Sequence, residues 1–215
     1  MTFMCLMLLS LHLEIFFVTG HRSNKLKKIA RDNRITDIYT ERDDFETRGI
    51  TVRYGECSCC VVKIVEISAS GQYIRTIQRF TLDHKELFTY PLFVCTNING
   101  DIIVTDDFKV VAVNKEGTIR FIYQAEGRQL KQSFYPQYIV TDKQGGMFIN
   151  DYNNSVVHVL DSDGKFIQYL ITPEQGCDRP IGLDLDNHGR LWMCNYGKRE
   201  IDIIKYIYIR YRNKH

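Results

Sequence analysis

Proline is scarce in this chain, with four among 215 residues, and tryptophan occurs once. Charge of one sign is missing as well: 28 Lys plus Arg nearly balance 26 Asp plus Glu, for a formal net charge of +2. That balance excludes nucleic-acid binding driven by bulk charge alone. No apolar run reaches the roughly 20 residues that a spanning helix needs. The longest, from Phe3 to Leu11, is broken by His12 and Glu14. It has no basic stretch before it and no small-x-small cleavage pattern after it, so residues 1–30 read as an apolar and basic extension outside the folded repeats. A weak secretory signal in residues 1–20 is the alternative, and no membrane partner is expected.

Cysteine is present without a pairing pattern. Seven Cys are an odd number, scattered without the spacing of a disulfide framework, which points to a reducing, cytoplasmic setting. The cluster Cys57, Cys59 and Cys60 has no second pair of Cys or His ligands at zinc-site spacing. These three thiols read as small apolar groups in or beside a strand. No metal and no cofactor is expected.

What the chain does have is aromatic residues, 12% of the whole, and turn residues of the Gly, Asn and Asp type. This mixture favours strands over helices. It also has an internal repeat. The segments "YPLFVCTNINGDIIVTDDFKVVAVNKEGTIRFIY", "YPQYIVTDKQGGMFINDYNNSVVHVLDSDGKFIQYL" and "RPIGLDLDNHGRLWMCNYGKREIDIIKYI" align almost without gaps. Pro91, Pro136 and Pro180 step by 45 and 44, as do Gly100, Gly145 and Gly189, and as do Asp106, Asp151 and Asn195. A degenerate copy precedes them, and its Gly71 leads to Gly117 and Gly164.

Each unit predicts four short strands joined by tight turns in which Gly takes a positive φ. The runs "VVAV", "VVHVL" and "IDII" are apolar on consecutive residues, so both faces of those strands are expected to be covered. A period of about 45 with four strands per unit is the signature of a β-propeller. The fold expected is therefore all-β, a stack of four-stranded blades over 31–215. The degenerate blade spans 31–82 and the clearer ones span 83–127, 128–172 and 173–215. Three to four blades are few for a closed ring. The expectation is an incomplete gene product, an open arc that needs a partner, or a tight four-bladed ring.

The strings "GDIIVTD", "GGMFIND" and "GRLWMCN", each after a Pro-anchored first strand, resemble the repeats of the NHL family. The resemblance covers about 91–205, more weakly 31–90, and is nearest to the carboxy-terminal propellers of tripartite-motif proteins. It departs from them at Asn195, which replaces the repeated Asp. The RING, B-box and coiled-coil segments of that family are not found in the sequence, so no ligase activity carries over. The resemblance implies a non-catalytic module that presents loops on one face to a protein partner, and no small-molecule substrate.

In this strand order, the loop between strands two and three and the link into the next blade emerge on one face. Its candidate partner-binding residues are Tyr90, Asp107, Phe108, Tyr135, Tyr152, Asn153, Asn154, Arg179, Tyr196, Lys198 and Arg199. Tyr and Arg suit recognition because they offer a large rigid area or a forked donor.

Some relatives of such blades bind single-stranded RNA, which makes RNA the alternative partner. Residues 82–190, however, hold ten basic and fifteen acidic residues, against an extended phosphate-binding face. A metal-dependent enzyme is the third reading, since "RPIGLDLDNHGRLWMCNYG" also resembles calcium-dependent lactonase propellers. Against it, His84, His158 and His188 occupy different phases of the repeat, and no nucleophile with a neighbouring base is legible. No catalytic residue is therefore assigned, and no enzyme is expected.

Overall fold

The structure is a computed structural model that describes residues 87–127 and 130–206 in full, and describes strands between 16 and 77 by their backbone. It divides into two compact units, 1–90 and 91–215. The first contains β1 (Phe16–Thr19), β2 (Lys25–Ile29), β3 (Ile35–Thr40), β4 (Phe45–Arg48), β5 (Thr51–Tyr54), β6 (Val62–Ile67) and β7 (Tyr73–Ile77). Strands β1, β2 and β3 form one antiparallel sheet, and β4 to β7 form another with four strands in sequence order. The first sheet thus crosses residue 30, the expected edge of the extension, and the single blade expected over 31–82 is divided between two sheets. Cys57, Cys59 and Cys60 lie outside the described residues.

The second unit contains β8 (Pro91–Thr96), β9 (Ile102–Asp106), β10 (Lys109–Val113) and β11 (Ile119–Tyr123), then β12 (Pro136–Thr141), β13 (Met147–Asp151), β14 (Val156–Leu160) and β15 (Phe166–Ile171). A single 3-10 turn at Pro173–Gln175 leads to β16 (Pro180–Leu185), β17 (Arg190–Asn195) and β18 (Glu200–Lys205). These strands make two four-stranded sheets and one three-stranded sheet, each an antiparallel meander. The three sheets are successive blades of a β-propeller. The fourth strand expected in the last blade, from the tail "IYIRYRNKH", lies outside the described residues.

The first strands sit side by side, β12 between β8 and β16. Burial explains the consecutive apolar runs. All five residues of β13 and all five of β14 are buried. Met147, Ile149 and Leu160 belong to a core shared with Ile103, Val110 and Ala112 of the preceding blade. Phe148, Val157 and Val159 belong to a second core with Leu183, Leu191 and Met193 of the following blade. Alternate side chains of one strand therefore pack against different neighbours, which removes the polar face an ordinary half-exposed strand would show.

The turns at the far end from the links share one design. Asn97, Asn114, Asp142, Asp161 and Asp186 each accept a backbone N–H four residues on through the side-chain oxygen. Gly100, Gly117, Gly145, Gly164 and Gly189 follow at the fourth position with φ between 70° and 92°. This is a type I turn closed by a left-handed residue, where glycine avoids the Cβ clash.

At Gly164 a second constraint is added. Its φ is +81°, and a Cβ there would run into the Phe121 ring of the preceding blade. Gly127 has φ +70° and nothing near it. Gly127→Ala is expected to cost only the backbone term, about 1–2 kcal/mol, and Gly164→Ala about 1–3 kcal/mol more because the ring must move. Denaturant unfolding of the two variants measures the difference; equal losses would show that the Phe121 contact costs nothing.

Candidate functional site

The links between blades and the loops between their second and third strands share one end of the unit. Register places them there: Pro91 pairs with Asp106, Pro136 with Asp151 and Pro180 with Asn195. The three repeated polar residues sit under this loop face and are buried, at 0%, 0% and 1% exposure. Asp151 Oδ1 accepts the Tyr135 and Asn154 backbone N–H groups, and its Oδ2 accepts Asn154 Nδ2 at 2.7 Å. Asn195 Oδ1 accepts the Asp178 N–H, while its Nδ2 donates to Gly176 O and to Asp202 Oδ2. Asp106 pairs with Lys109 at 3.3 Å. Asp151 and Asn195 each tie a loop to the link beside it, so these two groups are spent largely on the backbone.

The departure at Asn195 has a physical reason. Behind Asp151 lies His158, fully buried, with its Nε2 3.5 Å from Asp151 Oδ2 and its Nδ1 2.8 Å from the Tyr123 hydroxyl. One repeat later, Asp202 occupies the position of His158 and Asn195 that of Asp151. Where an aspartate oxygen of the second strand lies 3.5 Å from an imidazole nitrogen of the third, the next blade sets an amide donor 2.7 Å from a carboxylate, so the acidic partner has moved to the other strand. Aromatic rings of Tyr123, Phe134, Phe166 and Tyr169 surround His158 at 5.0 to 5.9 Å.

The candidate residues of the face divide by what they already hold. Asn154 is consumed by the 132–133 link and by Asp151, and Asn153 Nδ2 donates to Ser133 O. Lys198 pairs with Glu200 at 3.6 Å. Tyr90 immediately precedes the first β8 residue and is half-buried. Arg199 is exposed in the β17–β18 loop with φ 59°. Phe108, 49% exposed, meets Tyr135 of the next blade at 6.1 Å. Asp107 beside it has φ 44°. Burial, and secondarily the charge of Asp106, raise its carboxyl above the ordinary range.

A tighter group forms between the second and third blades. Arg179 has φ 51°, a conformation costly for a residue with a Cβ. Its N–H donates to Ser155 Oγ at 3.0 Å and its carbonyl accepts the Tyr196 N–H at 3.2 Å, which holds the backbone there. The guanidinium Nε binds Asp178 at 3.2 Å, and Cζ lies 5.5 Å from the Tyr196 ring centre. The Asp178 hydrogen bond and charge raise the Arg179 pKa, with a smaller contribution from Tyr152. Tyr152 and Tyr196 are themselves 6.4 Å apart. Two phenol rings and one forked cation are thus held together at a blade junction.

Two of the thiols are unsuited to nucleophilic work: burial pushes Cys95 and Cys177 up to about 12. Among the described residues, no group of three or more His, Cys, Asp or Glu is arranged to hold a metal. His158 and His188 do not meet: the first is buried within the second blade and the second is exposed in the Asp186–Arg190 turn of the third. His84 lies outside the described residues.

No family model matches the sequence, and no curated protein matches it. Solved structures do resemble it. Virginiamycin B lyase from Staphylococcus aureus matches with a TM-score of 0.63 at 18% identity, over 92% of this chain and 68% of the lyase. A protein proposed as a gluconolactonase matches with a TM-score of 0.60 at 13% identity, over 90% of this chain and 71% of its own. A chain of a nidogen–laminin complex matches with a TM-score of 0.61 at 14% identity, over 90% of this chain and 72% of its own. These neighbours are propellers, and the last was solved with a protein partner.

The expectation of a non-catalytic, tripartite-motif-like module that is not an enzyme is corrected by these neighbours, because they include a lyase and a protein proposed as a gluconolactonase. The Pro, Gly and Asp landmarks that suggested the module encode strand starts, turns and latches. Any propeller needs those features, so they could not select one function.

The Asn195–Asp202 pair yields a test. Asn195→Asp places two carboxylates against each other and is expected to cost about 2–4 kcal/mol. Adding Asp202→Asn should restore most of that loss. Urea unfolding of the single and double variants measures the coupling, and additive losses would contradict this reading of the pair.

Proposed function

We propose that this chain is part of a propeller enzyme that converts a small molecule at its loop face, of the lactonase or lyase kind, on blades of the NHL type. The observation that carries the proposal is Arg179: a strained, pinned residue that presents a guanidinium beside the paired rings of Tyr196 and Tyr152. Backbone strain of this sort persists where surrounding bonds over-determine it, and it concentrates at functional sites. The shared fold of a lyase and a protein proposed as a gluconolactonase supports the choice of an enzyme. The Pro-anchored first strands and the Gly-to-Asp second strands support the NHL reading of the blades.

A lactone or other ester develops negative charge on its carbonyl oxygen as it reacts. A guanidinium with Nε held by Asp178 is oriented for that oxygen or for the carboxylate released. The two phenol rings offer a rigid platform for the body of the substrate. Asp107 lies on the same face, and its raised pKa suits it to proton transfer nearer neutrality than an ordinary carboxylate allows. The described residues do not fit a calcium or zinc site, since the buried Asp151 and Asn195 already serve backbone N–H groups. No step is therefore assigned to a metal.

Incubation of the protein with a panel of five- and six-membered lactones and cyclic depsipeptides, read by acid release and mass change, is expected to show ring opening of at least one. Arg179→Ala should lower kcat/KM by about 10²-fold, and Lys143→Ala, at the opposite end, should leave it unchanged. Asp107→Asn should remove the acid limb of the pH profile. A folded protein that opens none of these rings, or an Arg179→Ala variant as active as the parent, contradicts the proposal.

A further inference from the structure

The last blade carries an apolar face that none of the described residues covers. Trp192, Ile201 and Ile203 are 37%, 61% and 48% exposed. Cys194 is exposed beside them as a free thiol. The four are not scattered: Trp192 lies directly opposite Ile203, and Cys194 directly opposite Ile201. Cross-strand partners of this kind share one side of a sheet. Isolated apolar residues at a surface need no explanation, but a contiguous set on one sheet face marks an interaction surface.

The repeat says what belongs there. One unit earlier, the same positions are Phe148, Asn150, Val157 and Val159, with the same opposition of Phe148 to Val159 and Asn150 to Val157. All four are 0% exposed. What buries the apolar three is the next blade, through Leu183, Leu191 and Met193. Asn150 adds a hydrogen bond of 2.7 Å to the Pro180 carbonyl that opens that blade. Two units earlier the pattern holds again: Ile103 and Ala112 share a core with Met147 and Ile149, and Thr105 donates to the Gln137 carbonyl.

We propose that the Trp192–Ile203 face is the seat of a further four-stranded blade of this same repeat. Its docking side would present Leu- and Met-type residues in the manner of Leu183, Leu191 and Met193. Length agrees with that occupant. About a third of the lyase, some ninety residues, lies outside the match, as much chain as two such repeats need. The assignment holds whatever chemistry the loop face performs.

Trp192 is the sole tryptophan and reports on this face directly. Its indole N–H is held by Asp186 at 3.0 Å, so the ring is already fixed before anything docks. In the protein as it stands, its emission should be quenched readily by acrylamide, and Ile203→Glu should leave the melting temperature unchanged. Joining a copy of residues 128–172 to the carboxyl terminus should shift the emission to the blue and lower the quenching constant several-fold, with the protein monomeric by light scattering. Ile203→Glu should abolish that protection. Three outcomes would each overturn the proposal. One is a Trp192 as quenchable in the extended protein as before. A second is an Ile203→Glu variant that destabilises the unextended protein, which would mean the face is already covered. The third is protection of Trp192 that rises with the concentration of the unextended protein, which would seat a second copy there instead.

Discussion

A sheet that is apolar on both sides cannot stand alone in water, and the second unit is organised around that requirement. Strands β13 and β14 bury every residue because odd and even side chains are received by different neighbours. At about 25 cal/mol per Å² of apolar surface, each covered side chain of Val, Leu or Phe size contributes about 1.5–3 kcal/mol. The middle blade gains this on both faces. The last blade gains it on the side that packs Leu191 and Met193, and leaves Trp192, Ile201 and Ile203 to the solvent. Stability in such an array is a sum over blades and over the junctions between them, as in other repeat proteins.

The junctions are also where polar groups are handled. A second-strand residue reaches forward to the first strand of the next blade, Thr105 to Gln137 and Asn150 to Pro180. A residue at the end of that strand ties its own loop to the link beside it, as Asp151 and Asn195 do. Fixing the links in this way fixes the loop face above them. Arg179 shows the consequence: its left-handed backbone is held between Ser155 and Tyr196, so its guanidinium is placed by the fold and not by its own preference. An arginine placed in this way loses less freedom on meeting a ligand than one on a mobile loop.

Much of this was legible from residues alone. Pro91, Pro136 and Pro180 open first strands, Gly100, Gly145 and Gly189 take positive φ, and the run from Val156 to Leu160 is covered on both sides. The latch role of the repeated Asp follows from its recurrence in phase. The burial of His158 does not, because the phases of the imidazoles relative to one another carry no sign of it. The available signal was a spacing of seven, from Asp151 to His158 and from Asn195 to Asp202. Strands β1 and β2 are not legible in the sequence, because "FFVT" and "KLKKI" carry none of the Gly or Pro landmarks of the later blades. On the loop face, Tyr135, Tyr152 and Arg179 were found by position, but nothing in their order showed that Asn153 and Asn154 were already occupied by the 132–133 link. Activity was the least legible, since a motif that builds blades serves every protein built from them.

If cover from neighbouring blades sets the stability of each, native-state hydrogen exchange across the second unit will be graded from blade to blade. Amides of β13 and β14 should exchange only through global unfolding, and those of β17 and β18 through a smaller opening that releases the last blade alone. Equal protection of all three blades, or greater protection in β18 than in β14, would contradict the account.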